Sequence, residues 1–132
     1  MSSEATRQVG RRQARRQALF LLYQWDLTEQ PLATLFEGEP DAFASQLAGA
    51  VAAEAPALDV RISAASEAWP ADRLGTLERN ILRIGVYELE EETVPAEVAI
   101  NEAVLLAKRY ASEDAARLVN GILGRVAREE AA

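Results

Sequence analysis

The chain has 132 residues and a net charge of −7, and it contains neither cysteine nor histidine. These absences exclude a disulfide framework, a thiol nucleophile and thiolate metal ligands, and they remove the commonest general base and metal ligand of proteins. The length suits a single domain over residues 1–132, and because no apolar run is long enough to cross a bilayer and no signal peptide is recognisable, we expect a cytoplasmic protein.

Helical periodicity dominates the N-terminal part of the chain. Apolar residues at three- and four-residue steps predict an amphipathic helix over residues 9–29, which ends before Pro31. Residues 1–8 are expected to be flexible. A short helix is predicted to start at Pro31, and Asp41 is predicted to cap a further helix that runs to about residue 53.

The C-terminal part continues the helical pattern and shows no sustained period-two alternation. Pro56 is predicted to open a helix that Pro70 ends, and a strongly apolar helix is predicted to follow. The next helix is predicted from Pro95 to about Tyr110, and Ser112 is predicted to cap the last one. We therefore predict an all-α protein, a compact bundle of six or seven helices.

The charges are segregated along the chain. Residues 1–25 carry five arginines against one glutamate, a local charge of +4, whereas residues 26–104 carry four basic and sixteen acidic side chains, a local charge of −12. Residues 105–128 return to +3. This layout predicts one surface for a polyanion and another for a basic partner. The alternative is that the arginines merely form a solvated helix face.

Three blocks of the sequence carry a family resemblance. They are the arginine-rich segment of residues 11–25, the stretch ILRIGVYEL of residues 81–89, and residues 98–129, which contain INEA, SED and VNG. Together, and in this order, they closely resemble the NusB family. The resemblance implies an all-α fold of two packed helical halves and an RNA-binding function in bacterial transcription antitermination.

The resemblance also implies partners. NusB-like proteins pair with NusE, a small-subunit ribosomal protein, and the heterodimer captures a single-stranded boxA element in nascent ribosomal RNA transcripts. The expected partners are therefore boxA-like RNA, NusE and the transcription elongation complex. Some NusB-like proteins self-associate, so a homodimer is a further expectation. We expect no cofactor, no metal and no membrane partner.

The candidate RNA-binding residues are basic or aromatic. Guanidinium groups bind phosphates bidentately and stack on bases, and aromatic rings stack on the bases of single strands. Tyr110 matches an aromatic position of the family beside the turn at Ser112; the alternative is a ring that seals the helix end. The predicted RNA-binding set is Arg7, Arg11, Arg12, Arg15, Arg16, Lys108, Arg109, Tyr110 and Arg117.

The candidate partner-binding residues lie mainly in the acidic part of the chain. Tyr23 and Glu78 match family positions that face NusE, and Glu88 adds a carboxylate that favours a basic protein. The alternative for Glu88 is a solvated helix end. The chain departs from the family at Leu118, where many members have an aromatic residue, and near Ser66, where some place a tyrosine. These departures predict weaker RNA binding or a greater reliance on the arginines and the partner.

Three distinctive residues of the NusB-like blocks are assigned to structure. Asn101 and Asn120 are each expected to satisfy a neighbouring backbone or carboxylate group. Gly121 is expected to let two helices approach closely, in spite of a cost of about 1 kcal/mol for glycine in a helix interior.

Two other classes of function are weighed against RNA binding. The first is a helical adaptor or homodimer whose arginine-rich helix meets acidic protein instead of RNA. The second is an enzyme, which is not expected, because the chain has no histidine, no cysteine, no glycine-rich phosphate loop and no convincing nucleophile beside a base.

Overall fold

The computed structural model describes residues 3–36, 38–39, 41–66 and 71–131, with side chains from Gly10 onward except that of Asp72. Within these ranges every regular element is a helix and no strand occurs, which confirms the all-α prediction. The elements are α1 (Ser3–Thr28), a 3₁₀ turn (Leu32–Thr34), α2 (Ala42–Ala65), a second 3₁₀ turn (Ala71–Arg73), α3 (Thr76–Glu91), α4 (Ala96–Tyr110) and α5 (Glu113–Ala131). None of the helices in these ranges combines the length and apolarity that crossing a membrane requires.

The number of α-helices differs from the predicted six or seven, because the described residues contain five, together with two 3₁₀ turns. The difference arises in α2, which runs unbroken from Ala42 to Ala65 with Pro56 inside it. An interior proline costs a helix about 3 kcal/mol or more. Burial of Val51, Leu58 and Ile62 on either side of the proline offsets this cost, and the alanine-rich sequence favours the helix.

Two of the predicted helix caps are confirmed. Asp41 Oδ2 accepts a hydrogen bond from the Ala44 backbone N–H at 3.0 Å. Ser112 Oγ accepts one from the Ala115 backbone N–H, also at 3.0 Å. Each side chain satisfies one of the N–H groups that the first turn of a helix leaves without a helical partner, and so fixes where α2 and α5 begin.

The chain forms two compact units whose boundary falls inside α2, after Ala53. The first unit contains α1 and the start of α2, and α1 contacts the 3₁₀ turn that follows it. The second unit contains the rest of α2 and α3 to α5. There α4 and α5, which only Ala111 and Ser112 connect, pack on each other, and α3 packs on both.

A glycine allows α3 and α5 to approach closely, but it is not the glycine that the sequence predicted. A β-carbon at Gly85 would lie 2.6 Å from Leu123 Cδ1, which is too close for two carbon atoms. At Gly121, which is exposed, a β-carbon would meet no atom within 4 Å. The prediction for Gly121 is therefore wrong, and Gly85 has that role. Asn101 and Asn120 are also exposed.

A buried arginine joins α2 to α3 within the second unit. Arg83 is 6 % exposed, and its Nε and Nη2 donate to Oδ1 and Oδ2 of Asp59, both at 2.7 Å. Its Nη1 donates to Asn80 Oδ1 at 3.0 Å, and Asn80 Nδ2 donates to the Thr76 carbonyl at 2.8 Å. This bidentate pair satisfies a charge that would be costly to bury alone.

Candidate nucleic-acid interface

Four of the predicted RNA-binding arginines have described side chains on α1, and they differ in exposure. Arg12 is exposed, Arg11 and Arg16 are half-buried, and Arg15 is only 1 % exposed. Helical geometry explains the difference, because residues 11 and 15 share one face of the helix and residues 12 and 16 share the next. Arg7 belongs to α1, but its side chain lies outside the described residues, as do those of the segment 1–8 that was expected to be flexible.

The ring of Phe43, in the first turn of α2, lies beside two of these arginines. The guanidinium carbon of Arg11 is 5.2 Å from the ring centroid, and that of Arg15 is 5.9 Å from it. Both distances allow a cation–π interaction, which orients the guanidinium groups. Because Arg15 is buried, its guanidinium is not presented to RNA, and we assign it to the packing of α1 rather than to direct RNA contact.

Arg16 holds a donor that no described residue satisfies. Its Nε is buried and has no hydrogen-bond partner in the part of the chain that the structure describes. A buried donor without a partner costs about 1–3 kcal/mol. Arg15 Nη1 is in the same state, so these two donors describe the packing of α1 and not its contact with a ligand.

The turn between α4 and α5 carries the second predicted set. Lys108 and Arg109 are exposed in the last turn of α4, and the Arg109 guanidinium carbon lies 5.5 Å from the ring centroid of the half-buried Tyr110. On α5, exposed Arg117 forms an ion pair with Asp114. Surface pairs of this kind contribute at most about 1 kcal/mol, so Arg117 can exchange the carboxylate for a phosphate at little cost.

The predicted partner-binding residues are not equally available. Tyr23 is 37 % exposed on α1, and Glu78 is half-buried in the first turn of α3. Glu88 is 2 % exposed, so it is neither a surface carboxylate nor a solvated helix end, and that part of the prediction is corrected. The sequence held the signal, because Glu88 continues the apolar stripe of Ile81 and Ile84 at helical spacing.

Sequence reasoning missed two features of α1. Arg15 stands in the same stripe as Leu19 and Leu22, both buried, so helical phase alone could have indicated its burial. The contact with Phe43 had no comparable signal, because it depends on how α1 and α2 pack within the first unit. Of the two departures from the family pattern, Ser66 is 9 % exposed and Leu118 is half-buried.

A cluster of ion pairs in the second unit links three helices. Arg61 of α2 places Nη1 3.5 Å from Glu90 Oε2 on α3 and Nη2 2.7 Å from Glu130 Oε1 on α5. Burial raises the pKa of Glu90, and the nearby Arg61 opposes that rise. Among the described residues, no three metal-binding side chains are grouped so that they could hold an ion.

Comparisons with known proteins agree with the resemblance. The model of the NusB family matches residues 12–128. The transcription antitermination protein NusB of Rubrobacter xylanophilus is 41 % identical over 122 residues, which cover 87 % of this chain and 88 % of that protein. A structure described as "Crystal Structure of a Plectonemic RNA Supercoil" superposes with a TM-score of 0.82 at 32 % identity, covering 92 % of this chain and 96 % of that one. "Crystal Structure of Antitermination Factors NusB and NusE in complex with dsRNA" gives 0.79 at 32 %, covering 90 % and 96 %.

Proposed function

The chain belongs to the NusB family, and we propose that it acts in transcription antitermination by binding boxA-type single-stranded RNA together with NusE. The observation that carries the proposal is the face of α1 on which Arg12 is exposed and Arg16 is half-buried. A neighbouring structure of NusB and NusE in complex with dsRNA supports the RNA and NusE parts of the proposal, whereas the single-stranded boxA target follows from the family resemblance. This role is one of binding without catalysis, and it implies a cytoplasmic location.

The arginines of α1 suit the phosphates of a nucleic-acid strand. Arg12 is exposed, so its planar guanidinium can pair bidentately with a phosphate. Arg16 is half-buried, so part of this side chain remains accessible to a phosphate beside Arg12. The cation–π contact with Phe43 holds Arg11 in place, which lowers the entropy lost when it binds.

The turn at Ser112 suits unstacked bases as well as phosphates. Stacking of a base on an aromatic ring such as Tyr110 contributes about 1–3 kcal/mol. Exposed Lys108 and Arg109 add phosphate contacts beside the ring. Because Leu118 supplies no aromatic ring, binding depends more on the arginines and on NusE than in relatives that carry one.

The NusE contact involves Tyr23 and Glu78, the two exposed or half-buried members of the predicted set. The acidic part of the chain favours a basic ribosomal protein. Glu88 is left out of this contact because it is buried.

The test is fluorescence anisotropy with a labelled boxA-type single strand over a salt series, with and without NusE. We expect NusE to tighten binding, and the logarithm of Kd to rise linearly with that of the salt concentration. The double variant Arg12→Gln/Arg16→Gln should weaken binding at least about tenfold and reduce the salt slope by about one to two.

The matched control is Arg73→Gln, which removes an exposed positive charge from the second 3₁₀ turn and should leave affinity unchanged. RNA affinity of the double variant equal to that of the control would refute RNA binding by α1. Equal affinity for the single strand and for its duplex would refute recognition of unstacked bases.

A further inference from the structure

Short connections give the second unit two distinct ends. Residues 92–95 join α3 to α4, Ala111 and Ser112 join α4 to α5, and the three helices pack on one another, so α4 runs antiparallel to the other two. Glu78 and the turn at Ser112 therefore lie at one end. The C-terminal ends of α3 and α5 and the start of α4 lie at the other, called here the distal end, which is about 20 Å from Glu78 at 1.5 Å per helical residue. A partner at the distal end would leave Glu78 and the turn accessible.

The distal end carries a groove with a volume of about 470 Å³. This lies within the range of about 300–1,000 Å³ that is typical of binding pockets. Leu89 is 5 % exposed, Val94 and Ala127 are half-buried, and the other apolar lining residues are exposed. The apolar lining residues are Leu89, Val94, Pro95, Ala96, Ala127 and Ala131. Such a groove can take an apolar side chain of a partner.

The charge around the groove favours a cation. Its charged lining residues are Glu92 and Glu130, and residues 89–97 contain four glutamates and no lysine or arginine. The C-terminal end of a helix carries partial negative charge, and the last turn of α3 has no basic residue to offset it. Arg61, which pairs with Glu130, and Arg128 of α5 offset only part of the negative charge. A phosphate backbone would be repelled here, whereas a basic protein segment would be attracted.

We propose that the groove at the distal end binds a segment of another protein in which an apolar anchor side chain is flanked by basic residues. The anchor packs against Leu89 and Val94. The flanking basic side chains lie beside Glu92 and the C-terminal end of α3, where they gain electrostatic attraction. This contact is separate from the proposed binding of RNA and NusE and would attach a further protein to the same chain.

The test is a nuclear magnetic resonance titration of the full chain with two synthetic peptides. One peptide has a leucine flanked on each side by arginines, and the other has a serine in place of the leucine. The leucine peptide should bind at least about fivefold more tightly, because the groove removes its apolar side chain from water. The backbone amide signals that shift should be those of residues 92–96, apart from Pro95, and of residues 127–131.

Two variants, each with a matched control, separate the charge from the groove. Glu92→Gln should weaken binding of both peptides about two- to threefold, whereas Glu113→Gln, which removes an exposed carboxylate at the opposite end of α5, should change it less. Ala96→Phe places a ring at an exposed lining position and should abolish the advantage of the leucine peptide. Ala57→Phe, at an exposed position of α2, should preserve that advantage.

Three outcomes would overturn the inference. Equal affinity for the two peptides would show that the groove takes no apolar anchor. Amide shifts confined to the first unit or to the turn at Ser112 would place the peptide elsewhere. Shifts at the distal end produced by the boxA-type strand would make RNA the occupant. In the first two cases the proposed function stands, because its own test measures affinity for RNA with and without NusE, and in the third RNA binding stands but not its restriction to α1 and the turn.

Discussion

Arg12 on α1 and Arg83 on α3 carry the same guanidinium group, but burial gives them opposite roles. Arg83 is 6 % exposed and donates hydrogen bonds to Asp59 and Asn80. Arg12 is exposed, so a phosphate arriving from solvent can reach it. Exposure, rather than residue type, therefore decides whether a charged side chain of this protein holds the fold or is available to a ligand.

The largest expected effect comes from removing the buried guanidinium. Arg83→Ala removes the buried partner of the Asp59 carboxylate and one donor to Asn80 Oδ1, so the free energy of unfolding should fall by about 3 kcal/mol. Arg12→Ala should change it by less than about 0.5 kcal/mol while weakening RNA binding. Urea denaturation followed by circular dichroism measures both. Equal losses of stability in the two variants would contradict the prediction that the buried arginine stabilises the fold more than the exposed one.

Gly85 and Gly121 also differ in burial, although neither carries a charge: the first lies in close contact with another helix and the second faces open space. Gly85→Ala would force a β-carbon against Leu123, so the free energy of unfolding should fall by about 1–3 kcal/mol. Gly121→Ala meets open space on an exposed helix face and should raise it by up to about 1 kcal/mol. Thermal unfolding of the two variants gives shifts of opposite sign. A gain in stability for Gly85→Ala would show that α3 and α5 are not in close contact.

Local sequence signals predicted the helices and their caps well, because a cap depends on side-chain chemistry within one turn. At Asp41 and Ser112, the side-chain oxygen accepts a hydrogen bond from the backbone N–H three residues later, and this bond fixes where the helix begins. Pro56 is the contrary case. Its local preference for a helix start is overridden by burial of the residues around it, which no short window reveals.

The candidate site was predictable in composition but not in exposure. Arg15 and Glu88 were assigned to surfaces from their charge, although helical phase puts both in buried stripes. Periodicity could not predict the contact of Phe43 with Arg11 and Arg15, because that contact depends on how α1 and α2 pack within the first unit. A charged residue is therefore best assigned by helical phase first and by charge second.

The smallest expected effect concerns Glu90. About a third of its side chain is exposed, so it lies between buried Arg83 and exposed Arg12. Burial raises its pKa above the ordinary value of 4.5, so the folded protein holds the proton more tightly than the unfolded chain does. That contribution to stability is complete below about pH 4 and is lost as the pH rises through the folded pKa.

Glu90→Gln removes this ionisation, so the variant should be slightly more stable than the unaltered protein near pH 7, by less than about 0.5 kcal/mol, and equal to it near pH 4. Urea denaturation across this pH range measures the difference. Glu130→Gln is the matched control, because it removes the closer ion pair with Arg61, at 2.7 Å, and should lower stability near pH 7. A loss of stability in Glu90→Gln equal to that of the control would mean that attraction to Arg61 outweighs the burial of Glu90, and that this carboxylate belongs with Arg83 among the charges that hold the fold.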